Sequence, residues 1–292
     1  MPSPTFLVFE FTVYVLALLC LRHALYQGRY RALEFVVGIV YGLLLEAATI
    51  WQLQGYHYGH FLVMFGEVPL CVGVGWGVII YSAMETSDRW GLAPWARPLA
   101  DALQAWNIDL SMDAIAIRLG FWTWAVPGEW FGVPYGNFFA WFVVTASFSG
   151  FIRLLRGWRE RGMLGYLYPW LATLFSLATL LWLDQAYVDF VFPHRLQLTV
   201  LSALLMLGVS TLWFTRRIMY PPQSVDWPVA LVPLVFHVYY TAALFLRGYY
   251  RQAPPLAVVS IAMLLLGFAV HLLLPWLIRR YPSATDGDYR EL

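Results

Sequence analysis

Apolar runs of about twenty residues recur along this chain from the first dozen positions to residue 278, and about that length is what a helix needs to cross the hydrocarbon core of a bilayer. Lipid offers backbone amides no partner, so each run must satisfy its own hydrogen bonds as a helix. The composition agrees: 61% of the 292 residues are hydrophobic and 12% are charged, against roughly half and a quarter in a soluble domain. The expected fold is all-α, a polytopic integral membrane helical bundle, multi-pass in the cell membrane.

Nine spans are expected near residues 6–26, 32–52, 67–86, 97–119, 136–154, 165–185, 194–215, 228–248 and 256–278. No connection is long enough for a second domain. Residues 1–280 therefore read as one transmembrane helical domain and 281–292 as a short polar cytoplasmic tail. Met1-Pro-Ser-Pro4 lacks the basic region of a signal peptide, so the first run is expected to stay as a helix. All 18 basic residues are arginine. With the N-terminus outside and the C-terminus cytoplasmic, fourteen of the 18 fall inside, leaving Arg118, Arg195, Arg247 and Arg251 outside. That split obeys the positive-inside rule. Eight helices are the alternative, but dropping one scrambles the alternation. The net charge of +1 gives no reason to expect nucleic acid as a partner; membrane lipid is the expected surrounding. Cys20 and Cys71 lie in apolar runs and read as small hydrophobes, and the many Trp and Tyr near span ends read as interfacial belts.

Glu46, Asp109 and Asp113 lie inside spans, with Glu67, Asp101 and Asp184 nearer the ends. A carboxylate at membrane depth costs roughly 2.5–3.5 kcal/mol on insertion scales, so each is a functional candidate. The competing use is a protonated acid bonded to another helix. Spans two and four run in the same direction, and a rise of about 1.5 Å per residue puts Glu46, Asp109 and Asp113 roughly 21, 18 and 24 Å from the inner boundary. They share one layer in the outer half. Asp109 and Asp113 also stack on one helix face, with Trp106 a turn below. Two carboxyls brought together in a dry site cannot both ionise easily, which suits an acid working beside a base.

Other chemistries fit less well. Asp109 and Asp113 also form a D-x-x-x-D pattern of the kind that binds Mg²⁺ in membrane prenyltransferases, with Asp184 and Asp189 as a second cluster. The spacing of that second pair is wrong for the motif, and the outer half holds few basic residues for a diphosphate. The six histidines are too scattered for a di-iron site. Gly73, Gly75 and Gly77 lie within a span rather than after a strand, so close helix packing explains them better than nucleotide binding. No metal is expected.

The stretch Asp109–Trp141 resembles the carotenoid biosynthesis family that includes the γ-carotene and bisanhydrobacterioruberin hydratases, of carotenoid 1,2-hydratase type. The matching features are the acidic helix with Asp109 and Asp113, Trp122-x-Trp124, Gly132-Val-Pro134, Asn137-Phe138 and Trp141. Upstream, Glu46 leads to Gly55-Tyr-His-Tyr58, and Pro69-Leu70 with Trp76, Tyr81 and Ala83 matches the next span. Together these cover residues 46–141; beyond them the chain matches only in hydrophobic character. The family often reads Asp-Pro where this chain has Asp113-Ala114, which removes a helix kink.

The resemblance implies an enzyme that adds water to an acyclic ψ end group, with a carotenoid and water as its partners and no cofactor. Protonation of the terminal alkene gives a tertiary cation, which water captures. Such an enzyme needs an acid, a base and aromatic faces beside the cation. The Asp109/Asp113 pair is the expected acid, with Asp113 the donor, and Glu46 the base. Trp106, Trp122, Trp124, Tyr135 and Trp141 are candidates to line the cation, with Tyr58 also on the substrate. Asn137 is a candidate to orient the water, or to cap the fifth helix. A carotenoid is about as long as the hydrocarbon core is thick, roughly 30 Å, so its end group would reach the acidic layer.

Overall fold

The computed structural model describes residues 2–215 and 224–275. Nine α-helices follow one another among them: α1 (Pro4–Gln27), α2 (Arg29–Leu53), α3 (Leu70–Arg89), α4 (Arg97–Leu119), α5 (Tyr135–Leu155), α6 (Leu164–Ala186), α7 (Gln197–Thr215), α8 (Trp227–Leu246) and α9 (Pro254–Phe268). Each overlies one of the expected spans. The tail 281–292, the last residues of the ninth span and Arg216, Arg217, Arg279, Arg280 and Arg290 lie outside the described residues.

Eight of these helices are long and apolar enough to cross a membrane. The exception is α4, whose 23 residues carry Arg97, Asp101, Asp109, Asp113 and Arg118. It tolerates them because it is the centre of the bundle, touching α3, α5, α7, α8 and α9. Most of its length from Ala100 to Ala116 is buried, so its acids meet protein rather than lipid.

One end of the bundle is laced by ion pairs. Asp88 on α3 binds Arg31 of α2 at 2.8 Å, Arg97 of α4 at 2.9 Å, and Arg153 and Arg156 of the α5 terminus at 3.1 and 2.9 Å. Arg153 also reaches the fully buried Asp101 at 2.5 Å. Glu34 binds Arg156 at 3.0 Å and Arg159 at 2.5 Å, and accepts the Tyr168 hydroxyl of α6. The start of α2, the end of α3, the start of α4, the end of α5 and the start of α6 meet there only if neighbouring helices run antiparallel. That is the alternation the arginine distribution requires.

At the opposite end two short antiparallel pairs close the bundle. Strand β1 (Tyr56–Tyr58) pairs with β4 (Trp122–Trp124), and β2 (Met64–Phe65) pairs with β3 (Val68–Pro69). Glu10 of α1, wholly buried, anchors the intervening loop by accepting the backbone N–H groups of Leu62 at 2.7 Å and Val63 at 3.2 Å.

Between the two ends, glycine sets the distance from α2 to α3. A Cβ on Gly42 would stand 2.7 Å from the Gly73 carbonyl oxygen, and one on Gly77 would stand 2.4 Å from the Ile39 side chain. Side chains would force these backbones apart, so the glycines serve packing. The close approach seats Glu46 of α2 against Trp76 of α3, one turn above Gly42. Gly42→Ala meets backbone and is expected to cost about 1–3 kcal/mol through overpacking, seen as a lower thermal midpoint of the purified protein in detergent. Gly75→Ala, whose Cβ would meet nothing within 4 Å, should leave the midpoint unchanged.

Candidate active site

The β1–β4 pair works as a lid with two unlike faces. Successive strand side chains point to opposite faces, and the register sets Tyr56 opposite Trp124 and Tyr58 opposite Trp122. Those four rings share the inner face, while His57 and Thr123 between them are exposed. The rings pack as cross-strand pairs, Tyr56 on Trp124 at 5.0 Å between centroids and Tyr58 on Trp122 at 6.0 Å.

Beneath the lid stands Glu46, fully engaged. Its Oε2 accepts the hydroxyls of Tyr56 and of Tyr58, the latter at 2.7 Å, and its Oε1 accepts Trp76 Nε1 at 2.7 Å. Burial, and then the neighbouring Glu46 charge, push the Tyr56 and Tyr58 phenols well above the usual phenol range. Both therefore stay protonated as donors.

Glu46 faces a cavity of about 150 Å³ with mostly apolar walls, far more than the roughly 10–15 Å³ that one water requires. Asp113 lines it from α4, on the same cavity as Glu46. Helix α4 runs unbroken through Asp113-Ala114, and the side chain reaches the cavity without a proline kink. Unlike Glu46, Asp113 has an oxygen, Oδ2, that accepts no hydrogen bond among the described residues.

The remaining sequence candidates divide by position. Trp122, Trp124, Trp141, Tyr58 and Asn137 line the cavity, with Trp141 packed on Trp76 at 4.2 Å. Asp109 does not line it. It is fully buried a turn away from Asp113, and its Oδ2 accepts Asn137 Nδ2 at 3.1 Å. Asn137 thus holds Asp109 and does not cap α5, whose N-cap is Pro134. Trp106 also stands off the cavity wall, donating to the Phe138 carbonyl at 2.5 Å and packing on Phe142. Tyr135 sits at the start of α5, where its backbone N–H meets the exposed Glu129.

The wall also holds residues that the resemblance gives no part in the hydration, and polar atoms that the sequence could not place. Tyr56 and Trp76 belong to the matching segments, and the alternation of aromatic and polar residues in Tyr-His-Tyr and Trp-Thr-Trp is a strand signal. Asp184 of α6 lines the cavity 4% exposed, with Oδ2 unpartnered among the described residues. Trp124 Nε1 is likewise unpartnered. From α8, Phe236 lines the cavity, with the buried Tyr240 stacked against it at 6.4 Å between centroids.

The family described as carotenoid biosynthesis protein matches residues 4–209, and the chain belongs to that family. The match extends well beyond residues 46–141 on both sides, taking in α1, α5, α6 and most of α7. It ends before α8. No curated protein matches the chain, and no solved structure does. Membership places this membrane protein in carotenoid biosynthesis.

Replacing Asn137 by Leu would leave buried Asp109 with neither oxygen bonded. The expected loss is about 1–3 kcal/mol, measured as a fall in thermal midpoint, with Asn137→Gln falling less.

Proposed function

We propose that the protein is a carotenoid hydratase that adds water across the terminal double bond of an acyclic ψ end group, giving a tertiary alcohol. The observation that carries this reading is the unlike bonding of two carboxyls on one aromatic cavity. Three donors converge on Glu46, which suits an anion. Asp113, with an unaccepted oxygen, has room for the hydroxyl of a neutral carboxyl.

In the proposed reaction Asp113 gives its proton to the CH carbon of the end alkene, and the π electrons form the new C–H bond, leaving the charge on the dimethyl-substituted end carbon. That carbon becomes a tertiary cation, faced by Trp122, Trp124 and Trp141. A water oxygen closes the C–O bond and loses its proton to Glu46. Return of that proton from Glu46 to Asp113 resets the site, so the sum is alkene plus water to alcohol. No cofactor or metal enters these steps. The arginine-rich end would face the cytoplasm and the lid the outside, as the positive-inside rule favours.

A cyclase shares the first step and differs in quenching the cation internally. The unpartnered polar atoms of the cavity favour hydration, because Asp113 Oδ2, Asp184 Oδ2 and Trp124 Nε1 offer the two to four partners that an ordered water needs. A diphosphate-dependent transfer would use both members of each acidic pair. Here Asp109 faces Asn137, and Asp189 is exposed and bonded to Gln185 at 2.9 Å.

Mass spectrometry of pigments from lycopene-producing cells carrying this gene tests the reading. The expected product is heavier by one water; an isomer of unchanged mass would mean cyclisation, and unaltered lycopene would mean a binding protein. Asp113→Asn is expected to abolish the water adduct while protein in the membrane stays at its normal level. Full activity in that variant would remove Asp113 as the proton source.

A further inference from the structure

The reaction cavity is too small for more than the end of a long polyene, and the rest of the molecule must lie somewhere. Two flanks of the cavity differ in how they are closed. On the α2–α6 side, Gln52 Nε2 donates to the Leu181 carbonyl at 3.0 Å and to Gln185 Oε1 at 3.1 Å. Those bonds bridge the two helices and latch that flank.

On the α1–α8 side, three spaces follow one another through shared walls. Phe9 and Phe236 line the reaction cavity and also a pinched space of about 10 Å³. Thr12, Leu16 and Val235 line that pinched space and also an open apolar groove of about 500 Å³ on the bundle surface. The groove runs along α1 from Leu7 to Leu19, about 18 Å of helix, with Leu231 and Val235 of α8 on its other side. The hydrogen bonds between α1 and α8 lie toward the two ends of the seam: at the lid end Thr5 accepts Tyr239 Oη at 3.3 Å and Arg247 at 2.7 Å, and at the other end Cys20 Sγ reaches the Pro228 carbonyl at 4.0 Å. The middle of this seam is apolar. The pinch is made of side chains, chiefly Phe9 and Phe236, whose ring centroids are 6.4 Å apart.

We infer that the α1–α8 groove is the seat of the polyene chain, entered sideways from lipid, with Phe9 and Phe236 as the gate through which the reacting end passes to Asp113. The occupant is a long, linear, apolar isoprenoid. Its chemistry follows from the continuity of the groove with the acid cavity and from the family's place in carotenoid biosynthesis. Only the identity of the reacting end rests on the hydratase reading. A groove running away from the lid along α1 suits a rod-shaped molecule, whereas a compact substrate would leave it unused.

The test measures retention of unreacted lycopene, which does not depend on turnover. Asp113→Asn protein is purified from lycopene-accumulating cells, and pigment per protein is read by absorbance on the monodisperse fraction. Val235→Trp and Thr12→Trp fill the groove from its two helices, and each is expected to lower retention at least tenfold. Leu174→Trp, on the exposed face of α6, is expected to leave it unchanged. The proposal is overturned if both groove variants retain as much pigment as the parent, if Leu174→Trp loses it equally, or if the parent retains none. Loss of retention in groove variants of a chain that forms no water adduct would keep the groove and discard the hydratase reading.

Discussion

The ion pairs at the arginine-rich end fix where every other residue stands along the bundle. Asp88 meets arginines from α2, α4 and α5, and Glu34 joins α2 to α5 and α6. Removing one partner from such a buried set leaves an uncompensated charge, at a cost of about 3–5 kcal/mol. A helix that slipped by one turn, about 5.4 Å, would break several pairs together. Helices α2 and α4 therefore start from a common level, and the constant rise per residue carries that level to the far end. Glu46 and Asp113 meet at one height because they lie a similar number of residues from the ion-paired starts of their helices.

The two ends treat carboxyls in opposite ways. Asp88, Asp101 and Glu34 each have an arginine within 3.1 Å, so their charge is neutralised where it is buried. Among the described residues, Glu46 has three neutral donors and no cation, and Asp113 and Asp184 keep an unpartnered oxygen. A fold that can pair its acids with arginine has left these three without one. In the proposed reaction an arginine there would hold the acid as an anion and repel the developing carbocation; none is among the described residues that line the cavity.

The spans, their antiparallel order and the close helix packing at Gly73 and Gly77 were legible because each depends on local pattern: apolar length, arginine position, small residues at helical spacing. The shared layer of Glu46 and Asp113 was legible from helical rise alone. Rotation about the helix axis was not. Asp109 and Asp113 stack on one face, yet one turns toward Asn137 and the other into the cavity, since α4 is surrounded and neighbouring turns of the same stripe meet different helices. Trp106 and Tyr135 likewise stand off the cavity wall. Asp184 stood apart because nothing in its own segment tells that α6 packs beside α5 and α2. Phe236 and Tyr240 lie beyond both the matching motifs and the family match, and only the packing of α8 on α1, α3 and α4 brings them in.

In the proposed hydration, the lid lets water serve as a reactant without flooding the site. Bulk water would solvate both carboxyls and level the difference between them, and a low-dielectric site preserves it. The strand pair turns four rings inward and two polar side chains outward, so the barrier is aromatic on the inside. Two of those rings carry hydroxyls that end on Glu46. In the proposed reaction the same residues then keep solvent out, shield the cation and hold the base, and a variant that opened the lid would lose acid strength before it lost substrate. In that proposed reaction, selectivity for one added water follows from the few polar atoms left to bind it, not from exclusion alone.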